Sequence, residues 1–365
     1  MIFTGRSIFC RIIYRFAMKL PYTTFQPDMD QLLRVLRRER TDRPVLFEFM
    51  INLEICREAA GVEKQPAPGS LDFYRMVIDA FRNLGYDYAP VYTWKSNLFS
   101  FPKGDHDSLA SRSQNQGAMI TDRESFEKYP WPDAEAGNYE LYNRLSGSLH
   151  DGMKLLGFSN GGILENATDI VGFDSLCMMY LTDQELTREI FRNIGERLLK
   201  FYTIVASMDS VGACVVTDDW GFKTQTMFPP EMMEECVFPY TKKIVEVIHA
   251  NGKPVILHSC GNLKSIMDVI IDDLKIDGKH SFEDGIYPVE DALEWWSDRI
   301  AIMGGIDVDF LARSNPEMIY QRSLRLLEKS SGTGGFALGS GNSIPDYIPG
   351  ENYLAMLRAA ADFKT

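Results

Sequence analysis

The second half of the chain repeats one pattern, in which a short apolar run is followed by polar or glycine-rich residues and then by a helix-forming segment. Residues 183–208 carry apolar side chains at helical spacing, and the apolar run 213–217 that follows stops at Asp218. The same order recurs four times downstream, with helices expected at 231–250, 263–274, 289–296 and 316–329. Helices that alternate with short buried strands are typical of βαβ units with a parallel sheet. The pattern therefore predicts an α/β protein.

The ends of the predicted strands favour one architecture within this class. The five apolar runs lie at 213–217, 255–257, 278–281, 300–303 and 336–338. In a (β/α)8 barrel, the TIM barrel, all strand C-termini meet at one face, where the chemistry is kept. An open doubly wound sheet is the competing fold, but no G-x-G-x-x-G follows a first strand. We therefore predict a single-domain (β/α)8 barrel that spans residues 18–365.

Length, charge and cysteine content limit the class of protein. At 365 residues the chain is long for one domain, yet such barrels routinely exceed about 250 residues. A net charge of −13 repels phosphate backbones and argues against nucleic-acid partners. The six cysteines form no C-x-x-C pair, which indicates a reducing cytoplasm. No apolar run reaches the roughly 20 residues of a membrane span, so we expect a soluble enzyme.

The first seventeen residues contain three arginines and no acidic residue. The arginines interrupt the apolar stretch that a secretory signal needs. Two interpretations remain, a basic amphipathic anchor at a membrane surface and a disordered extension upstream of an alternative start at Met18. We favour the extension, because the first core strand is expected near Val45.

Residues 92–149 are rich in Ser, Gly, Asn, Pro and aromatic side chains and show little periodicity. They are predicted to form an irregular excursion over the barrel mouth, where long loops often select substrates. The aromatic residues either line an apolar lid or hold the segment down. They are Trp94, Phe99, Phe101, Tyr129 and Trp131.

His258 and Cys260 leave one predicted strand at alternate positions, so an imidazole and a thiolate can face one borderline-soft ion. Zinc needs three protein ligands, and the alternative is a buried histidine beside an inert cysteine. Asp218 and Asp219 could bind a cation or act as acid and base. Alternation along the strand also permits one of them to point inward while the other caps a helix.

The motifs DDWG, HSCGN, MGGID and GSGNSI, in this order, resemble the uroporphyrinogen-decarboxylase-like superfamily over roughly residues 165–360. The resemblance implies a (β/α)8 barrel. It is nearer to the methyltransferase branch, whose members move methyl groups between a corrinoid protein and a thiol or another acceptor. In that branch the His and Cys of an H-x-C-G motif bind zinc, and His258, Cys260 and Gly261 match this motif.

Two departures from the family pattern are informative. The methyltransferases draw a further zinc ligand from a G-C-G segment, where this chain has Ser340, a poor zinc ligand. Either a carboxylate completes the site, or zinc has been lost; the candidate carboxylates are Asp218, Asp219, Glu165 and Asp307. The decarboxylases bind a substrate with many carboxylates through the arginines of an N-terminal motif. The corresponding residues 43–52 lack the second and third arginines of that motif, and Glu48 adds a negative charge that would repel such a substrate.

We therefore predict a methyltransferase that acts between a corrinoid carried by a partner protein and a small thiol or another acceptor, with zinc as the candidate cofactor. The alternatives are a decarboxylase-type lyase or another small-molecule enzyme on this scaffold, and a non-catalytic ligand-binding protein. The oligomeric state stays open. The predicted catalytic residues are Asp218, Asp219, His280, Glu283 and Asp307. The predicted substrate-binding residues are Glu48, Trp94, Asn160, Glu165, Trp220, Ser340 and Asn342. The predicted metal ligands are His258 and Cys260.

Overall fold

The computed structural model describes residues 20–22, 25–91, 98–104, 115 and 117–364. The predicted extension 1–17 and Trp94 lie outside the described residues. Within the described part, seven strands form one sheet in chain order, and every neighbouring pair is parallel. They are β1 (Tyr88–Pro90), β2 (Lys154–Phe158), β3 (Val211–Thr217), β4 (Val255–His258), β5 (Gly278–His280), β6 (Ala301–Met303) and β7 (Phe336–Ala337). The α/β class with a parallel sheet is confirmed.

The segment around Leu46 lies beside β7 and makes a single bridge instead of a strand. Leu46 bridges Leu338 in parallel. The amide of Phe47 donates to the carbonyl of Leu338 at 2.9 Å, and the amide of Leu338 donates to Val45 at 2.8 Å. The core strand expected near Val45 is therefore reduced to this bridge, and β1 begins the sheet.

Helices connect the strands. They are α1 (Met29–Leu36), α2 (Leu53–Ala59), α3 (Leu71–Leu84), α4 (Arg123–Lys128), α5 (Glu140–Ser146), α6 (Ile163–Val171), α7 (Phe173–Thr182), α8 (Gln184–Ala206), α9 (Pro230–Cys236), α10 (Phe238–Ala250), α11 (Val289–Trp296), α12 (Val308–Arg313), α13 (Pro316–Ser330) and α14 (Gly350–Asp362). The helix expected at 183–208 is α8, which begins after Asp183 because its carboxylate accepts from the amide of Leu186.

Two predicted helices differ from the structure. The helix expected at 231–250 is divided into α9 and α10, because Pro239, in the first turn of α10, has no N–H to continue α9. The helix expected at 263–274 is replaced by a 3-10 turn, Lys264–Ile266, and a π turn, Val269–Asp273. Both changes lie on the connections, so the strand ends keep their predicted positions.

The described aromatic residues of the excursion pack against one another and against α8. Tyr129 and Trp131 have ring centroids 4.6 Å apart, and the Arg197 guanidinium lies 5.0 Å above the Trp131 ring. Phe99 stacks on Phe201 of α8 at 5.7 Å. These contacts favour the interpretation in which the aromatic residues hold the segment down.

One further observation concerns membranes. Among the described residues, no helix combines the length and the apolar character that crossing a bilayer requires.

Candidate metal centre and active site

Three candidate metal ligands meet just beyond the C-terminal ends of β3 and β4. A carboxylate oxygen of Asp219, a ring nitrogen of His258 and the sulfur of Cys260 all lie within 4.8 Å of one another. His258 Nε2 is 3.9 Å from Cys260 Sγ, and the amide of Cys260 donates to Asp219 Oδ1 at 2.9 Å. The structure thus brings His258 and Cys260 together with one carboxylate, that of Asp219.

Two glycines allow the loops after β3 and β4 to approach this closely. The amide of Gly221 donates to the carbonyl of Cys260 at 3.1 Å. A Cβ on Gly261 would lie 2.2 Å from the carbonyl of Gly221, and Gly261 has a φ of +82°, which favours glycine. The last residues of the DDWG and HSCG motifs therefore hold Asp219 beside Cys260.

The donor set suits zinc. Zinc binds imidazole nitrogen, thiolate sulfur and carboxylate oxygen in a tetrahedron, whose ligand atoms are about 3.3 to 3.8 Å apart for bonds of about 2.0 to 2.3 Å. The 3.9 Å from His258 Nε2 to Cys260 Sγ is close to that spacing. Three protein ligands would leave the fourth position open, as in catalytic zinc sites.

Burial controls the protonation of these ligands. It lowers the pKa of His258 to about 4, so the imidazole is neutral near pH 7, as a metal ligand must be. Burial, followed by the nearby Asp219 carboxylate, raises the pKa of the Cys260 thiol above its ordinary value. A cation at the cluster would offset the rise in the Cys260 pKa, because it would stabilise the thiolate beside the Asp219 carboxylate.

Asp218 and Asp219 have different environments. The buried Asp218 carboxylate accepts from the amides of Ile163, Leu164 and Glu165 at 2.9 to 3.0 Å, and from the Trp220 indole at 2.8 Å. Burial raises its pKa to about 6, and the backbone hydrogen bonds oppose that rise. Asp218 therefore caps α6, while Asp219 faces the metal ligands.

Glu165 lies in the first turn of α6. Its Oε2 accepts from the amide of Gly162 at 3.2 Å. Burial, followed by the charges of Asp219 and Asp218, raises the pKa of Glu165 to about 8. Both effects favour the protonated form of this carboxyl.

A cleft of about 690 Å³ opens beside Cys260. The predicted catalytic residues Glu283 and Asp307 line it, together with Phe310. Asp307 also shapes the wall, because its carboxylate accepts from the amides of Phe310 at 3.0 Å and Asp284 at 2.8 Å. The cleft gives a small molecule access to the thiol.

Residues 116–363 match the sequence family described as Uroporphyrinogen decarboxylase (URO-D). The chain belongs to this family. The fold is similar to that of a methyltransferase from Methanosarcina mazei, with a TM-score of 0.72 and 15% identity over 93% of this chain and 100% of that chain. A putative vitamin-B12 independent methionine synthase from Listeria monocytogenes gives a TM-score of 0.47 and 11% identity over 92% and 96%. The curated proteins contain no significant match. The family predicted from the motifs is confirmed.

In this URO-D family member Ser340 is hydrogen-bonded to Glu48 and is not one of the three clustered candidate metal ligands. The Ser340 hydroxyl is hydrogen-bonded to the Glu48 carboxyl, and the Ser340 amide donates to Glu48 at 3.1 Å. Both residues are fully buried, as is Trp220. All three were expected to bind substrate, but fully buried side chains offer a substrate no surface. Asn342 reaches the cluster instead, donating from Nδ2 to Cys260 Sγ at 3.2 Å.

The remaining predicted residues lie near the site or beneath it. Asn160 follows β2, and its carbonyl accepts from Asn166 Nδ2 at 3.4 Å. His280 is fully buried at the end of β5, with its Nδ1 2.7 Å from Nδ1 of His258. It is the register partner of His258 across β4 and β5, and it does not line the cleft.

Sequence reasoning missed Lys279 and Phe49. Lys279 is fully buried, donates to the carbonyls of Ser259 and Ser281, and has its pKa lowered to about 8 by burial. A lysine inside a predicted buried strand was the available signal. Phe49 stacks on His258 with ring centroids 4.1 Å apart. Nothing local in the sequence marks that contact.

Proposed function

We propose that this URO-D family member is a methyltransferase that moves a methyl group between a corrinoid carried by a partner protein and a small thiol or another acceptor. The observation that carries the proposal is the convergence of Asp219, His258 and Cys260 beside an open cleft. The similarity in fold to the Methanosarcina methyltransferase agrees with it. We also propose that the segment at Leu46 closes the sheet into a (β/α)8 barrel.

In this proposal Asp219, His258 and Cys260 hold one zinc ion. Zinc bound there would lower the pKa of a thiol acceptor and favour its thiolate near neutral pH. His258 supplies a neutral imidazole, and Asn342 donates a hydrogen bond to the Cys260 sulfur, which stabilises negative charge on it. The cleft beside Cys260 binds the acceptor.

The transfer itself is a displacement at the methyl carbon. The thiol gives its proton to the solvent, its sulfur forms a bond to the methyl carbon, and the cobalt–carbon bond breaks with both electrons left on cobalt. Reversal of the reaction requires a proton for the departing sulfur. Glu165, whose pKa is raised by burial and by the charges of Asp219 and Asp218, is the proposed proton donor for that direction.

A decarboxylase acting on a polycarboxylate is the weaker candidate. Arg43 is the arginine that remains from the N-terminal motif, and it pairs with Asp87 at 2.5 Å while lying 4.6 Å above the Phe25 ring. Asp87 precedes β1, at the end of the sheet opposite the cleft. Arg43 therefore has its own partner far from the proposed substrate.

The test uses zinc-supplied protein, methylcobalamin as methyl donor and a set of small alkyl thiols that includes 2-mercaptoethanol. We expect zinc-dependent loss of the methyl–cobalt absorbance and formation of the methyl thioether. Cys260→Ser and His258→Gln should abolish both, and Cys177→Ser, on α7 away from the site, should leave them unchanged. Equal rates in native protein and Cys260→Ser would refute the proposal.

A further inference from the structure

His258, one of the candidate metal ligands, begins a buried hydrogen-bonded chain of three groups. His258 Nδ1 lies 2.7 Å from His280 Nδ1, and His280 Nε2 lies 3.2 Å from the carbonyl oxygen of Ser340. Both histidines are buried, at 6% and 0% exposure. The other ring nitrogen of His258, Nε2, is the one that faces Cys260.

The carbonyl at the far end of this chain fixes where the protons lie. A carbonyl oxygen only accepts, so His280 carries its proton on Nε2. A neutral His280 then has a bare Nδ1, which accepts from His258 Nδ1–H. His258 in turn has no proton on Nε2, and its lone pair faces Cys260 and Asp219.

The surroundings hold both rings in place. Phe49 stacks on the His258 ring at 4.1 Å with an interplanar angle of 16°, and Phe47 meets the His280 ring edge-on at 5.1 Å. A Cβ at Gly304 would lie 2.2 Å from the Ser340 carbonyl oxygen and 3.0 Å from the His280 ring. Gly304 thus leaves the space in which His280 meets that carbonyl.

We propose that His280 is a positioning residue that fixes His258 in the tautomer protonated on Nδ1, so that Nε2 is ready to bind metal before any metal arrives. The inference rests on the proposed zinc site and extends it to the residue behind the ligand. The catalytic role first expected for His280 becomes an indirect one, since the ring acts through His258. Partners of this kind typically change metal affinity about 10- to 100-fold.

The direct test is the tautomer of each ring in the metal-free native protein. The chain has 5 histidines, and ¹⁵N labelling of histidine with a long-range proton–nitrogen correlation spectrum shows which ring nitrogen carries the proton. Spectra of His258→Gln and His280→Gln assign the signals. We expect Nδ1–H on His258 and Nε2–H on His280. Nε2–H on His258 would overturn the inference.

Zinc affinity, measured by competition with a chelator, gives a second test. His280→Phe keeps an aromatic ring and removes both nitrogens, so the dissociation constant should rise about 10- to 100-fold. His280→Asn puts an acceptor near the Nδ1 position, whereas His280→Gln keeps only a donor near Nε2. The inference predicts tighter zinc binding by the Asn variant, and a packing role predicts the reverse, because Gln is nearer to His in volume.

His249→Asn is the matched control. His249 lies on α10, with its Nε2 2.7 Å from Asp277, and its loss should leave zinc affinity unchanged. If the His280 variants do not fold, the native spectrum still decides the tautomer. Failure of the native protein to bind zinc would refute the proposed function, while the tautomers would still be measured. Zinc binding with the opposite tautomer would refute this inference alone.

Discussion

Replacing Glu48 with Gln should make the protein more stable at alkaline pH. The Glu48 side chain is fully buried, and its hydrogen-bond partners are the amide and the hydroxyl of Ser340. Burial raises the pKa of Glu48 from 4.5 to about 8, and the hydrogen bonds from Ser340 oppose that rise. Glutamine has nearly the same shape, can accept from the amide, and never becomes charged.

The sign and the size of the effect follow from proton linkage. Between its unfolded and folded pKa values, Glu48 binds more proton in the folded state, so the free energy of unfolding falls as the pH rises through that range. The full shift corresponds to about 5 kcal/mol above pH 8, of which roughly 3 to 4 kcal/mol is lost between pH 5 and pH 8. Glu48→Gln lacks this loss.

Urea unfolding of native protein and of Glu48→Gln at pH 5, 6, 7 and 8 measures this loss in the free energy of unfolding. Other groups titrate equally in both proteins, so the difference between the two free energies isolates Glu48. That difference should grow with pH in favour of the variant. Glu246→Gln, at an exposed position of α10, is the control and should track native protein. A difference that stays constant within about 1 kcal/mol from pH 5 to 8 would refute the reasoning.

Three further outcomes follow from the structure. Asp218→Ala leaves three amides of α6 and the Trp220 indole without their acceptor, so the free energy of unfolding in urea at pH 7 should fall by about 3 kcal/mol. A fall of less than about 1 kcal/mol would contradict the capping role. Trp131→Ala removes contacts with Tyr129 and Arg197, so it should lower the free energy of unfolding by about 2 kcal/mol without changing zinc affinity. Weaker zinc binding by this variant would show that the aromatic residues contribute to the site. Deletion of residues 1–17 should leave the melting temperature unchanged, and a large drop would show that this segment packs on the fold.

Local sequence patterns were enough to find the five strands from β3 to β7 and the pair His258 and Cys260, but not β1 or β2. The strands are short apolar runs bounded by polar residues, and alternate positions after a strand end share one side. The division between α9 and α10 was not predicted, although its local signal, Pro239, is visible in the sequence. These features depend on neighbours within a few residues.

Contacts between distant segments decided what could not be predicted. Asp218 and Asp219 looked equivalent until α6, more than 50 residues earlier, supplied the amides that bind Asp218. Ser340 was predicted to bind substrate, and its hydrogen bond to Glu48 was not foreseen because Glu48 is 292 residues away. Hydrogen bonds across such separations leave no periodic signal in one sequence.

Zinc binding tests the central claim most directly. Equilibrium dialysis against zinc, with metal content measured as isolated and after zinc is supplied, should give one zinc per native chain. Asp219→Asn, His258→Gln and Cys260→Ser should each lose it or bind it far more weakly, because three protein ligands are the minimum for such a site. Ser340→Cys should change zinc binding little, since the side chain at position 340 faces Glu48. Native protein that takes up no stoichiometric zinc, while Ser340→Cys does, would contradict the account.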